Sequence, residues 1–372
     1  MQSHSTHRAV EVVARGTVFD HIGVNLMKGD ETYPFAIAPN AVVTPRGGVL
    51  VAWTAGAYEV APNAVTMGRE TYDGGKTWTY EPFVIADRPD HGLINVAFIR
   101  DRQRMLVFYN DYLGRVKASH GWFIDGTEDV WLAESHDTGY YWSDPRQLTD
   151  FHQKRQPYML QIRENGLRLA GGELVLPVGY HTRHFPPAKP EEFRNGFGVL
   201  RSDDDGKTWQ RCLLETNDPN RLFDEPAIAQ CADGSLLMYL RTNTGTMWQS
   251  RSHDGGRTWA QPADTGIVAA PASVALAKLP DGRFVLAWND HPAKRTFLSV
   301  AVSSDEGKTW TGPDVIDMVC IQPMPPMQHE QAANVALMVD DEGLVWMVWA
   351  HIAWYGEGAY GSIKYARLKV RD

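Results

Sequence analysis

Five times in 372 residues the chain repeats one eight-residue phrase: "TYDGGKTW" from Thr71, "SHDTGYYW" from Ser135, "SDDDGKTW" from Ser202, "SHDGGRTW" from Ser252 and "SSDEGKTW" from Ser303. The shared pattern is S/T-x-D-x-G-x-T-W; the second copy carries Tyr141 where the others have threonine. The central residues Asp73, Asp137, Asp204, Asp254 and Asp305 stand 64, 67, 50 and 51 positions apart. Such a period fits a four-stranded unit with its loops and exceeds a helical-hairpin repeat of about 34 residues. The chemistry inside each copy is that of a tight turn. Asp and Ser/Thr side chains bond nearby backbone N–H groups, and the glycine takes a conformation that a Cβ resists. The tryptophan then covers apolar surface at the start of the next strand. The five aspartates therefore read as hairpin locks. A Ca²⁺ loop needs carboxylates at several alternate positions plus a bidentate acid, and only Asp203, Asp204 and Asp205 are even that acidic.

Between the turns lie apolar runs bounded by turn residues: "GGVLVAWTAG", "QRMLVFYND", "GELVLPVGYH", "GSLLMYLRT", "GRFVLAWND" and "GLVWMVWAH". Each is preceded by another strand, such as "EPAIAQC" or "AANVALMV", and runs of this kind read as buried strands. Six units of about four strands predict an all-β, six-bladed β-propeller, which leaves only short, protected edges. The sixth unit has no turn motif, and "GSIKYARLKV" supplies its third strand. Its fourth is expected from the N-terminal "RAVEVVARGTVF" (8–19), closing the ring without a covalent link. A β-sandwich is the distant alternative. Length alone suggests two domains, but the repeat argues for one domain over residues 1–372.

With 43% hydrophobic and 22% charged residues the composition is that of a soluble globular protein. The net charge of −9, with no basic stripe, argues against a nucleic-acid partner. No run of eighteen apolar residues predicts a membrane span. Cys212, Cys231 and Cys320 make no disulfide framework and no metal-ligand spacing. The opening "MQSHSTHRAVEVV" lacks a basic stretch followed by an apolar run, so no signal peptide is read and a cytoplasmic location is expected.

In a propeller the first strand of each blade lines the axis, and functional groups gather at first-strand starts and second-strand ends. The first-strand starts offer Arg155, Asp224, Glu225, His329 and Glu330; the second-strand ends offer Glu59, His181, Arg241, Asp290, His351 and Tyr355. Polar groups at equivalent places in several blades predict a shared polar cleft, since binding residues concentrate on loops held by a rigid scaffold.

The five turns, together with "DEPAIAQCADGSLLMYLRT" (224–242) and "RTFLSVAVSSDEGKTW" (295–310), resemble the sialidase superfamily, and more closely its bacterial BNR-repeat, "predicted neuraminidase" branch. That resemblance implies three arginines clamping a substrate carboxylate, a Tyr–Glu pair as nucleophile and base, and an aspartate acid. Glu225 matches the family glutamate, Arg241 the second arginine and Arg295 the third. In "FAIAPN" Ala36 holds the place of the first arginine, and "HEQAANVAL" has no tyrosine where the nucleophile belongs. "AGAYEVAPN" holds no matching aspartate, though Glu59 is near.

The first expectation is thus an exo-acting glycoside hydrolase on a glycan containing an acidic sugar, distinct from a standard sialidase. Glu225, Glu59, Glu330 and His329 are the catalytic candidates. Arg241, Arg295, Arg155, Asp290, His181, His351 and Tyr355 are the binding candidates. A uronate lyase using His and Tyr as acid and base with a neutralising Arg is the second reading, supported by "GYHTRH" and "MQHEQ". A non-catalytic glycan-binding propeller is the third. No cofactor is expected: His91, His181, His329 and His351 lack a diagnostic metal spacing. The expected partner is a small molecule or oligosaccharide, and the oligomeric state stays open.

Overall fold

The computed structural model describes residues 8–20, 27–28, 31–32, 34–57, 61–89, 91–101, 103–112, 128–137, 139–151, 158–182, 193–216, 218–319, 327–355 and 358–371. Among these there is no helix. Three antiparallel four-stranded meanders follow chain order. They are Phe35–Val43 to Phe83–Ala86, Phe223–Gln230 to Ala263–Val268, and Ala275–Lys278 to Thr311–Met318. Two further meanders, opening with Gly92–Asp101 and Tyr158–Ile162, merge into one nine-stranded sheet. Their junction is a single parallel pairing, Glu128 with Met159, which the repeat pattern did not foretell.

The last sheet is Met327–Val339, Val345–Tyr355 and Gly358–Val370, completed by Val10–Phe19 from the other end of the chain. The expected N-terminal strand is thus in place, antiparallel to Gly358–Val370 with Val10 opposite Val370. It is anchored by apolar packing: Val18 and Phe19 are buried in a cluster with Trp53, Trp346 and Ile363, and Phe19 stacks on Trp53 at 5.2 Å. Each opening strand packs against the next, and Met327–Val339 packs back on Phe35–Val43. The apolar clusters lie between neighbouring sheets, because a sheet with two apolar faces needs a covering layer on each.

Four of the opening strands carry a bulge with a residue in the left-handed region: Ala38 (φ 53°), Asn95 (φ 59°), Glu225 (φ 40°) and Asn334 (φ 55°). A bulge re-aims a side chain and increases local twist.

The repeated turns join third to fourth strands, as their chemistry predicts. Asp254 Oδ1 accepts from Ser252 Oγ at 2.8 Å and Thr258 N at 2.9 Å, and Oδ2 from Thr258 Oγ1 at 2.6 Å. Asp73, Asp204 and Asp305 make the same three bonds. In the divergent copy, Asp137 keeps Ser135 Oγ and takes Gly139 N. The neighbouring meander grips the turns: Tyr365 Oη donates to Gly75 O, Arg104 to Asp205 O, Arg201 to Gly255 O and Arg251 to Glu306 O. The turns are therefore joints between sheets as well as hairpin locks. Cys212 and Cys231 are free thiols; Cys320 lies outside the described residues.

Candidate functional site

Asp224 faces Arg241 across the first two strands of its sheet, and the bulge that follows turns Glu225 toward the same guanidinium. Arg241 Nη1 stands 2.8 Å from Glu225 Oε2 and 3.9 Å from Asp224 Oδ2. Ser273 Oγ, itself buried, donates to Glu225 Oε2 at 2.8 Å from the start of the next sheet. Asp224 Oδ1 accepts the Glu225 N–H at 2.9 Å, which supports the left-handed backbone that a glutamate ordinarily avoids.

Asp224 is held from the preceding sheet. The Gln161 amide nitrogen, in the orientation that satisfies both groups, lies 2.9 and 3.0 Å from its two oxygens. Gly179 leaves room for it; a Cβ there would lie 2.6 Å from Asp224 Oδ1. His181 is buried, its Nδ1 3.0 Å from Thr182 O, and its charge acts on Asp224.

Burial pushes the Glu225 carboxyl up, but Arg241, then Arg163 and Arg295, outweigh it and hold it at about 2. Burial likewise pushes Asp224 up; there it wins, with the Glu225 charge adding to it against His181 and Arg241. Two adjacent carboxyls are thus driven apart, one kept ionised and one inclined to hold a proton. Deeper lie two residues that the sequence reading missed. Arg163 is fully buried and donates to Pro39 O at 3.0 Å and to Asn334 O, tying three sheets together. Glu164 is 3% exposed, and burial drives its carboxyl well up. Their signal was visible: an adjacent Arg and Glu straight after the apolar "PYMLQI".

Arg295 is half-buried, donates to Pro271 O at 2.8 Å, and its carbonyl accepts from Ala332 N at 3.0 Å. It thus sits between the Glu225 sheet and the last one. There Glu330 contacts His351 Nε2, and His329 stacks on Trp354 with ring centroids 4.0 Å apart. Burial lowers the His329 pKa, favouring the neutral ring. Asp290 is half-buried just after Phe284–Asn289, and burial raises its carboxyl. Its N–H bonds Phe297 O, and among the described residues no contact places it with Glu225. Tyr355 closes its strand as expected, with its side chain outside the described residues; Glu59 and Arg155 lie outside them altogether. Ala36, in the first-arginine position, is fully buried, its backbone oxygen 2.1 Å from where a Cβ on Gly361 would lie.

The family model for the BNR repeat-like domain matches residues 47–319. A sialidase of Bacteroides fragilis (strain YCH46) is 26% identical over 343 residues, covering 81% of this chain and 59% of its own length. The chain thus spans under two thirds of that curated relative. Among solved structures, a protein of unknown function from Dyadobacter fermentans DSM 18053 superposes with a TM-score of 0.74 at 17% identity, over 98% of this chain and 100% of its own. The Hadza microbial sialidase Hz136 gives 0.68 at 18% identity, over 90% and 65%. Repeated turns and family match agree: the chain, similar to proteins named as sialidases, belongs to the BNR repeat-like domain family.

Proposed function

We propose that the chain is a single six-bladed β-propeller and an exo-acting glycoside hydrolase on an acidic sugar, with Glu225 and Arg241 at its reactive centre. The carrying observation is the buried Glu225 carboxylate, locked by Arg241 and Ser273 at the start of an opening strand. The blade count rests on six meanders in succession, with the last opening strand packed on the first. A carboxylate held ionised suits a base, or a group that activates a nucleophile, better than an acid. Glycoside hydrolysis also needs a protonated acid on the other side of the bond. Glu330, in contact with His351, is the candidate for that role. Arg241 and Arg295 supply positive charge for an acidic group on the sugar, and guanidinium–carboxylate pairing is among the stronger hydrogen-bonded contacts.

The relatives named as sialidases make sialic acid glycosides the first substrates to try. Ala36 and the missing tyrosine favour another acidic sugar. A panel of aryl glycosides of acidic sugars, sialosides and uronosides together, tests the reading. Release of the aryl group by the wild type and its loss in a folded Glu225→Gln variant support it; no release from any member of the panel counts against hydrolysis. The His329 ring, stacked on Trp354 and with its pKa lowered by burial, favours a second reading, a lyase using His329 as base on a uronate. Ultraviolet absorbance of an unsaturated product would separate the two.

A further inference from the structure

Two of the repeated turns carry tyrosines where the other copies do not. In the second, Tyr140 stands where the rest have lysine or arginine, and Tyr141 where they have threonine. In the first, Tyr72 and, two residues past the tryptophan, Tyr80 stand where the other copies have polar residues or glycine. All four lie at the surface: Tyr72 is 59% exposed, Tyr80 91%, Tyr140 45% and Tyr141 81%. Among the described residues only Tyr360 joins them as an exposed large aromatic.

The four gather where the first meander faces the second. The Tyr140 ring stacks on Phe83 with centroids 4.3 Å apart, and its hydroxyl reaches Thr79, the residue before Tyr80. The Tyr72 hydroxyl bonds Glu70, whose N–H donates to the Thr79 hydroxyl at 3.2 Å. The backbone beneath is fixed, since Arg69 donates to Thr79 O at 2.9 Å and to Tyr80 O at 3.1 Å. A platform held in place before a ligand arrives loses less freedom on binding. Its tyrosines also come at a cost to the turn. Asp73, Asp204, Asp254 and Asp305 each accept a threonine hydroxyl at 2.6 Å, and Tyr141 offers Asp137 no such bond. A local rule broken at an exposed position points to function.

Beside Tyr72, on the hairpin from Thr44 to Gly48, Arg46 is exposed and has no ion pair among the described residues. The acids whose charge reaches it are engaged: Glu70 is buried and accepts from Thr44 Oγ1, and Asp137 is bonded within its own turn. Strand order puts this surface away from Glu225. Glu225 opens a first strand; the Arg46 hairpin joins first to second and the turns join third to fourth, at the other end of the antiparallel sheets.

We infer that Tyr72, Tyr80, Tyr140, Tyr141 and Arg46 form a second glycan site, where the sugar rings of an acidic oligosaccharide lie against the tyrosines and an acidic group pairs with Arg46. The C–H face of a sugar covers an aromatic ring while its hydroxyls meet the phenol tips. A guanidinium pairs with a carboxylate through two charge-assisted bonds. In these two turns no aliphatic side chain accompanies the tyrosines, as the core of a protein–protein contact would require. The site is separate from the hydrolase reading and needs no turnover.

The test is calorimetric titration of the full chain carrying Arg241→Ala, which weakens the Glu225 end, with hexamers of galacturonate and of sialic acid. Maltohexaose is the neutral control. Saturable binding of at least one acidic hexamer, about tenfold tighter than maltohexaose, is expected. Tyr80→Ala with Tyr141→Ala should weaken it about tenfold with an unchanged melt, and Tyr80→Phe with Tyr141→Phe should stay within about threefold. Arg46→Ala should bring the acidic hexamer down to the level of maltohexaose. Tyr141→Thr, which restores the residue of the other turns, should raise the melting temperature and weaken binding together. With Arg241 intact, the tyrosine variants should release aryl glycosides as the wild type does, so a failure of hydrolysis and a failure of this site are seen separately. Binding of neither acidic hexamer, equal binding of maltohexaose, or unchanged binding after Tyr80→Ala with Tyr141→Ala overturns the inference. So does a dimer in sedimentation that the same two substitutions dissociate, which would put a second copy of the chain on this surface.

Discussion

Glu225 and Arg241 beside it were legible, one at a strand start and the other at the next strand's end, and from the family pattern; the hold of Ser273 was not. Arg241 is 16 positions away along the chain and comes beside it through strand pairing, while Ser273 reaches it from the next sheet and Gln161, from the preceding one, holds the neighbouring Asp224. Glu225→Gln preserves shape and removes charge. It should abolish turnover while leaving ligand affinity within about tenfold. Arg241→Ala should weaken binding of acidic sugars by about 2 kcal/mol. Should both variants melt earlier yet turn over normally once folded, the pair would be a structural brace. Gly179→Ala probes the same geometry from behind. Its Cβ would press Asp224 Oδ1 from 2.6 Å, so it should displace Asp224 and lower kcat in a protein that still folds. Unchanged kinetics would show that Asp224 does not position Glu225.

At the scale of the element, the repeated turn was fully readable, because its bonds lie within eight residues. The Thr77 hydroxyl, then its N–H, holds Asp73 at about 2, and Thr208 and Thr309 do the same for Asp204 and Asp305. Their folded pKa values lie below the usual 3.8. The stability they contribute is therefore present above that value and lost as pH falls through about 2. Melting temperature measured from pH 5 downward should fall across that window, and less steeply when Asp254 is already alanine. Burial opposes the shift at Asp254, and Thr258 overcomes it, again to about 2. At neutral pH Asp254→Ala should cost on the order of 1 kcal/mol and leave substrate preference unchanged. A folded variant without activity would contradict the structural role of the turns. The grip of Arg104, Arg201 and Arg251 on neighbouring turns was not readable, since nothing local marks which arginine meets which loop.

For the whole molecule, Val10–Phe19 joins the first residues described to the last sheet, and Phe19 stacks on Trp53 in the first sheet beyond it. Removing residues 1–20 would bare the edge of Gly358–Val370 and open the cluster around Trp346. The truncated chain should melt far below the full chain in calorimetry; an unchanged melt would mean that the strand is dispensable. Phe19→Ala should cost about 3–5 kcal/mol, the usual range for a buried phenylalanine. By itself the sequence determined the all-β class, the turn chemistry and the missing fourth strand of the last unit. These depend on residue types at short spacing, where continuous apolar runs and side-chain-to-backbone bonds act locally. Tertiary structure alone decided the contact of Ser273 with Glu225, the burial of Arg163 and Glu164 and the contact of Glu330 with His351. Those depend on which sheet faces which, and on burial deep enough that desolvation and neighbouring charge, rather than residue type, set the ionisation of each carboxyl.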